Sequence, residues 1–187
     1  MKFPVSGADC VPYVRGMITA IIETRNEEVG LAHALAALVP AATEGILRDV
    51  IVIDKGSDDG TRAVADAAGC TIIDALAEVD ARRTAVERAR GDWLLFTPAT
   101  PVLQPGWQSE ALAFIDRALI DGRGQTRSAT FRGGRLHSTL FGWFSAVVRG
   151  ESTARLVAKS AWLAERSAST SRVSEASTVS DARRGAA

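Results

Sequence analysis

Residues 50–61 of the chain are Val50-Ile51-Val52-Ile53-Asp54-Lys55-Gly56-Ser57-Asp58-Asp59-Gly60-Thr61. Four β-branched apolar residues lead into an aspartate, and a loop of glycine, serine and aspartate residues follows. An apolar run of this length, bounded by turn residues, is typical of a buried strand in a parallel sheet. Asp54 therefore falls at the carboxyl end of a predicted strand, which is where open α/β sheets bind their ligands.

Strand and helix patterns alternate around this stretch. Short apolar runs predict strands at 17–22, 46–53, 70–73 and 93–96. Apolar residues at helical spacing predict the intervening helices, and the first of these is expected to end at Pro40. A fourth helix is predicted after Pro105-Gly106, with Trp107 on its apolar face. The alternation predicts an α/β fold, a three-layer sandwich with a mostly parallel sheet joined by right-handed βαβ units.

The pattern weakens after Asp121. We expect a strand at 128–131, a last strand at 155–159 and a short helix at 161–166, while 136–148 fits either a buried helix or a lip over the site. Residues 1–15 have no periodicity and predict a loose N-terminal arm. Residues 167–187 are rich in Ser, Ala and Arg, which predicts a disordered tail. The predicted domain is therefore 16–166.

Composition narrows the functional class. The 187 residues are 47% hydrophobic and 24% charged, with a formal net charge of zero, so no global field favours nucleic acid. The two cysteines, Cys10 and Cys70, lack metal-ligand spacing and are expected to be free thiols. The N-terminus lacks the apolar core of a signal peptide, and the longest apolar run is far shorter than the ~20 residues that span a bilayer. We therefore predict a cytoplasmic protein without a transmembrane segment.

Four motifs occur in a fixed order along the first two thirds of the chain. They are MITAIIETRNEE at 17–28, VIVIDKGSDDGT at 50–61, ARGDWLLF at 89–96 and PGW at 105–107. In their order and spacing, over residues 17–120, the chain resembles the family 2 glycosyltransferases. The resemblance implies the GT-A fold, a Rossmann-like fold that binds nucleotide sugars.

The resemblance also implies a nucleoside site. In that family the turn after the first strand cradles the uracil, and an aspartate after the second strand contacts the base or ribose. The residues of this chain that match are Thr24, Arg25, Asn26, Glu27 and Asp54. A carboxylate at a strand end can accept hydrogen bonds from a base N–H or from ribose hydroxyls. The alternatives are that Asp54 only caps the next helix, and that Arg25 and Asn26 only form a turn.

Arg82 and Arg83 begin the predicted third helix. Family members carry basic residues there, close to the diphosphate, and a guanidinium can bind phosphate oxygens in bidentate fashion. The resemblance therefore implies that both arginines contact the diphosphate. A solvated helix face is the alternative, because Glu87, Arg88 and Arg90 follow.

The chain departs from the family pattern at several positions, among them Thr84, where the family has asparagine after the arginine. Glu23 stands where proline is usual, and Lys55 replaces a second aspartate. Pro98 and Thr100 replace the two carboxylates of the Asp-x-Asp motif, which hold a divalent metal in the family. A neutral hydroxyl is a poor ligand for Mg²⁺ or Mn²⁺. We predict no protein metal ligand, so a divalent ion would depend on the diphosphate and on groups that the sequence does not identify.

The catalytic base is unassigned. After the last predicted strand, Glu165 is the only carboxylate before the tail, and His137 is a further acid/base candidate. A cluster at Phe141, Trp143 and Phe144 is best explained by core packing but leaves peripheral membrane contact open.

Three functional hypotheses remain. The first is a transferase that moves a sugar from a nucleotide-diphosphate sugar, UDP-linked, to a sugar, lipid or protein acceptor. The second is a catalytically degenerate relative that acts as a nucleotide-binding or protein-interaction scaffold, as the missing carboxylates suggest. The third, a nucleotidyltransferase, is disfavoured because no glycine-rich basic loop follows the first strand.

Overall fold

The computed structural model describes residues 17–77, 80–100, 103–121, 128–132, 135–139 and 153–167. The predicted N-terminal arm and all but the first residue of the predicted tail lie outside these ranges. The elements, in chain order, are β1 (Ile18–Thr24), α1 (Glu28–Thr43), β2 (Leu47–Asp54), α2 (Thr61–Ala67), β3 (Thr71–Asp74), α3 (Ala81–Arg88), β4 (Trp93–Pro98), α4 (Trp107–Ile120), β5 (Ser128–Arg132), β6 (Arg135–Thr139) and β7 (Ala154–Ala158). Residues 159–167 form a further helix, α5.

The strands form one seven-stranded sheet in the order β3-β2-β1-β4-β7-β5-β6. Strands β3, β2, β1 and β4 are parallel to one another. Strand β7 is antiparallel to β4, and β5 is antiparallel to both β7 and β6. The predicted α/β fold is confirmed, and the sheet is mixed because its second half is built from antiparallel pairs.

The parallel half of the sheet contains the centre of the core. Ile18, Ile21, Ile51, Ile53 and Leu94 are at most 1% exposed. Their strands are nearly continuous apolar runs because a parallel sheet is covered by helices on both faces. Burying each such side chain contributes about 1.5–3 kcal/mol relative to leaving it in water.

Helix α1 continues through Pro40 to Thr43, so its predicted end at Pro40 is wrong. Proline has no N–H to donate, so the Ala36 carbonyl loses its usual donor within the helix, yet the helix continues to Thr43. The Trp107 indole Nε1 donates to the Ala37 carbonyl at 2.9 Å, and the Thr43 hydroxyl donates to the Pro40 carbonyl at 2.8 Å. The chain then leaves the helix at Gly45, whose φ of 73° is the left-handed conformation that glycine favours.

Residues 136–139 belong to strand β6, so the buried helix, one of the two alternatives for 136–148, is wrong for this part. Strand β6 pairs with β5 so that Arg132 lies opposite Arg135, which leaves two residues, Gly133-Gly134, between the strands. A Gly-Gly pair between two short runs is a hairpin signal in the sequence. Residues 140–148 lie outside the described ranges.

Candidate functional site

A cleft of about 310 Å³ opens at the carboxyl ends of β1 and β4. From β1 the chain builds β2 and β3 on one side and then returns to place β4 on the other, so the strand order reverses between β1 and β4. Ligands of open α/β sheets bind in the crevice at such a reversal. Ile21, Phe96, Thr97 and Pro98 form the strand walls of this cleft.

The charged side chains of the cleft centre on Glu23. Lys55 Nζ lies 2.7 Å from Glu23 Oε2, and Arg82 Nε donates a hydrogen bond to Oε1. The Glu23 side chain is 18% exposed, whereas those of Lys55 and Arg82 are 51% and 59% exposed. Burial raises the pKa of Glu23, but the hydrogen bonds and charges of Arg82 and Lys55 outweigh it and lower the pKa below 4.5. Glu23 is therefore an ionised counter-ion shared by two basic groups.

Sequence reasoning did not select Glu23 or Lys55 as site residues, although it noted both as departures from the family pattern. The structure joins these two departures in one ion pair. Thr24 lies opposite Asp54 in the parallel register of β1 and β2, so the residues that flank this pair, Glu23 and Lys55, are neighbours. The sequence did contain a signal for this pair: two residues of opposite charge, Glu23 and Lys55, replace the usual family residues at the ends of two adjacent strands.

Arg155 of β7 also lines the cleft, and its side chain is 19% exposed. Its guanidinium lies 3.5 Å from the Glu165 carboxylate on α5. Glu165 is the carboxylate that the sequence offers as a base. It contacts Arg155, which lines the cleft, but it does not line the cleft itself. His137 belongs to β6, and its side chain lies outside those that the structure describes.

The loops after β1 and β2 are bonded to each other. The Asn26 N–H donates to Ser57 Oγ at 2.9 Å, and Asn26 Oδ1 accepts from the Asp58 N–H at 2.9 Å. The Glu27 N–H donates to Thr61 Oγ1 at 3.0 Å. Asn26 has a φ of 54°, a left-handed conformation that asparagine tolerates better than most residues. Both loops therefore form one unit beside the cleft.

The other turn residues divide by exposure. Thr24 is buried, and its hydroxyl donates to Glu27 Oε2 at 3.4 Å. Arg25, in contrast, is exposed to solvent at the edge of the same unit.

Asp54 is 1% exposed and has bonds to both carboxylate oxygens. Oδ1 accepts from the N–H and the hydroxyl of Ser57 at 3.1 and 2.6 Å, and Oδ2 accepts from Arg62 at 2.8 Å. These contacts hold the turn between β2 and α2, but they do not cap α2, whose N-cap is Gly60 without a side-chain cap hydrogen bond. Arg62 also lies 3.5 Å from Asp74. Its side chain is 47% exposed, so of Asp54 and Arg62 it is the arginine that solvent reaches. Sequence reasoning missed Arg62.

The two arginines of α3 have different surroundings. Arg82 lines the cleft, as described above. Arg83 is 65% exposed and donates to Glu87 at 2.8 Å, one helical turn along the same surface. Its backbone N–H donates to Asp80, which caps the helix. Arg82 thus lies in the cleft, where a diphosphate could reach it, and Arg83 lies on the solvated face of the helix.

The described residues do not fit a protein-held divalent metal. Pro98, at the position of the first family carboxylate, lines the cleft and has no side-chain donor atom for a metal. Within the described ranges no group of three or more His, Cys, Asp or Glu side chains is arranged to hold an ion. Glu23, the acidic residue of the lining, already has a basic partner at each oxygen.

The sequence model of a known family, described as "Glycosyl transferase family 2", matches residues 19–164. The chain belongs to this family. A similar protein is 4,4'-diaponeurosporenoate glycosyltransferase of Staphylococcus aureus (strain MRSA252), which is 35% identical over 65 residues. These residues are 35% of this chain and 16% of that protein. The family 2 glycosyltransferase predicted from the motifs is thus confirmed.

One solved structure shows the same fold, and a second is a weaker match. Glucosyl-3-phosphoglycerate synthase of Mycobacterium tuberculosis, in complex with phosphoglyceric acid, matches with a TM-score of 0.50 and 20% identity over 76% of this chain and 57% of that one. The same enzyme with Mn²⁺, UDP and glucosyl-3-phosphoglycerate has a TM-score of 0.47 and 23% identity over 60% of this chain and 42% of that one. This chain thus spans less than two thirds of the relatives it matches. Among the described residues, no helix is long and apolar enough to span a membrane.

Proposed function

We propose that this domain binds a nucleotide-diphosphate sugar, UDP-linked, in the cleft between β1 and β4 and transfers the sugar to a sugar, lipid or protein acceptor. One observation carries the proposal. The cleft lies at the strand-order reversal of a family 2 sheet, and its lining sets three basic side chains, Lys55, Arg82 and Arg155, against one carboxylate. A diphosphate is the anionic part of such a donor, and this lining complements its charge.

In this proposal the nucleoside lies over the bonded loops that follow β1 and β2. The turn from Thr24 to Glu27 supplies the exposed Arg25 side chain, and its Asn26 and Glu27 N–H groups bond it to the second loop. Asp54 acts with Arg62, because the buried carboxylate orients the half-exposed guanidinium. The diphosphate contacts Arg82, and Arg83 contributes only at longer range because its side chain follows the helix surface.

Transfer is an in-line displacement at the anomeric carbon. The acceptor oxygen forms the new bond to this carbon while the bond to the β-phosphate oxygen breaks, and the nucleoside diphosphate leaves with the electron pair. Basic groups beside the leaving diphosphate stabilise its charge in the transition state. The group that takes the acceptor proton is not assigned.

Calorimetric titration of the full chain with UDP, GDP and their sugar conjugates tests the proposal. We expect UDP to bind and Arg82→Gln to weaken its affinity about tenfold, the effect of losing one charge-assisted hydrogen bond. Arg88→Gln is the matched control, because it removes the same charge from the exposed last turn of the same helix. Failure of every nucleotide to bind would contradict the proposal.

The scaffold hypothesis remains the second candidate, since Pro98 takes the place of a metal carboxylate and no base is assigned. It predicts nucleotide or protein binding without turnover. Incubation of UDP-sugars with candidate acceptors, followed by measurement of released UDP, separates the two. Turnover that depends on Arg82 excludes a purely structural role.

A further inference from the structure

We infer that Lys55, Arg82 and Arg155 bind the diphosphate of this cleft directly, without a divalent metal, and that the diphosphate displaces Glu23 from Lys55 and Arg82. The inference rests on the proposed function for the identity of the ligand, a nucleoside diphosphate. It goes beyond that function in assigning how the anionic group is held.

The charges of the lining favour an anion over a dication. Lys55 and Arg82 converge on Glu23 from two different elements, the loop after β2 and the start of α3. A divalent ion that used Glu23 as a ligand would have to displace both cations and then lie beside them. A diphosphate replaces the single charge of Glu23 with several, and its oxygens accept bidentate hydrogen bonds from a guanidinium.

The two basic partners of Glu23 can turn from it to another anion. The Lys55 and Arg82 side chains are half-exposed, so their charged ends can rotate into the cleft without leaving a buried gap. The Glu23 side chain is 18% exposed, and before a ligand binds it is ionised because both partners keep its pKa below the ordinary value. When the ligand takes these partners, the Glu23 carboxylate loses them and therefore competes with the ligand.

Arg155 completes the group from the opposite wall. It is carried by β7, which pairs with β4, and it lines the same cleft as Lys55 and Arg82. Its side chain is 19% exposed, and its guanidinium lies 3.5 Å from the carboxylate of Glu165, whose side chain is 60% exposed. Basic groups on both sides of the cleft can thus contact one ligand.

Titrations with UDP and with inorganic pyrophosphate, each with EDTA and with Mn²⁺, test this inference on the full chain. We expect both probes to bind in EDTA. Lys55→Gln and Arg82→Gln should each weaken binding about tenfold in EDTA, and Arg88→Gln should leave it unchanged. Glu23→Gln should tighten binding several-fold, since the ligand no longer competes with a carboxylate. Circular dichroism of each variant shows that it is folded.

The sign of the Glu23→Gln effect decides between the anion site and a metal site. Weaker binding of both probes to folded Glu23→Gln, or UDP binding that requires Mn²⁺, overturns the inference. In the second case the proposed nucleotide site itself stands. Pyrophosphate binding in EDTA with UDP no tighter supports the anion site and contradicts the nucleotide proposal. If neither probe binds under any condition, both are overturned.

Discussion

Glu23 and Lys55 form an ion pair at two positions where this chain departs from the family pattern. The family has proline at one position and aspartate at the other, so neither charge has its partner there. Loss of Glu23 alone would leave Lys55 and Arg82 without their shared carboxylate, whereas loss of Lys55 alone would leave Glu23 paired with Arg82. We infer that the two departures belong together and that variants at these positions must be interpreted as a pair.

The pH dependence of stability tests the Glu23 ion pairs. Because the pKa of Glu23 is lowered in the folded protein, the unfolded chain binds more protons in acid. The stabilising contribution of Glu23 is therefore fully present above its ordinary pKa of 4.5 and is lost as the pH falls through the lower, folded-state value. Urea denaturation should show the stability difference between wild type and Glu23→Gln shrinking from about pH 6 to about pH 3. A constant difference would show that Glu23 is not paired in solution.

Asp54 can stabilise the turn after β2, and it can also support nucleoside binding. Measurements of protein stability and of UDP affinity separate these two roles. Its buried carboxylate has bonds to Ser57 and Arg62, so Asp54→Ala should lower the free energy of unfolding by about 2–4 kcal/mol, measured by denaturant titration. A nucleoside role requires in addition that UDP affinity falls in the folded variant. Unchanged UDP affinity would show that Asp54 only stabilises the turn through Ser57 and Arg62.

At the scale of the elements, the amino ends of β1 and β4 approach very closely at Gly91. A Cβ at this position would lie 2.6 Å from the Met17 carbonyl oxygen and 2.7 Å from the Thr19 nitrogen, both backbone atoms. The Gly91 N–H also donates to the buried Thr19 hydroxyl at 2.9 Å. Glycine is therefore required here for the close approach of two strands whose opposite ends form the cleft.

Gly91→Ala should destabilise the protein by about 2 kcal/mol or more, because backbone atoms cannot move aside as a flexible side chain can. Gly30→Ala is a graded comparison, since its Cβ would lie 3.1 Å from the Ala99 carbonyl oxygen. Thermal unfolding of both variants should place Gly91→Ala well below Gly30→Ala. Equal melting temperatures would contradict the packing described for β1 and β4.

Helix α5 joins two walls of the cleft. Trp162 stacks on Phe96 of β4 with ring centroids 6.3 Å apart, and the Arg166 guanidinium lies over the Trp162 ring at 5.2 Å. Arg166 also pairs with Asp80, the cap of α3. Residues from the end of the described chain thereby brace the strand and the helix that supply Phe96 and Arg82 to the cleft.

At the scale of the whole molecule, the chain has no net charge, and the cleft lining combines three basic side chains with one carboxylate. Charges at the mouth of a partly solvated cleft are screened within about 10 Å at 0.1 M salt. We therefore expect UDP affinity in EDTA to fall as sodium chloride is raised from about 0.05 to about 0.5 M, while the melting temperature changes little. Calorimetry and differential scanning fluorimetry measure the two quantities. Salt-independent affinity would contradict binding by exposed basic groups.

Much of the fold could be predicted because its signals are local. The apolar runs of β1, β2, β3 and β4 and the turns between them lie within a few residues of each other in the chain. The antiparallel half was harder, since β5 and β6 are short and their pairing was visible only in a Gly-Gly signal. The end of α1 was predicted wrongly, because Pro40 is a helix-end signal in the sequence, whereas the folded helix continues through it to Thr43 and also bonds the Trp107 indole of α4, 70 residues away.

The sequence by itself determined the order of strands and helices and the strand ends at which polar residues occur, because hydrophobic periodicity and turn chemistry act over short distances. Only the tertiary structure decided which of those residues meet. Parallel register brought Glu23 beside Lys55, the helix surface separated Arg82 from Arg83, and the closed turn buried Asp54 against Arg62. The physical reason is that neighbours in a sheet lie tens of residues apart along the chain, so their contacts depend on register and crossover geometry.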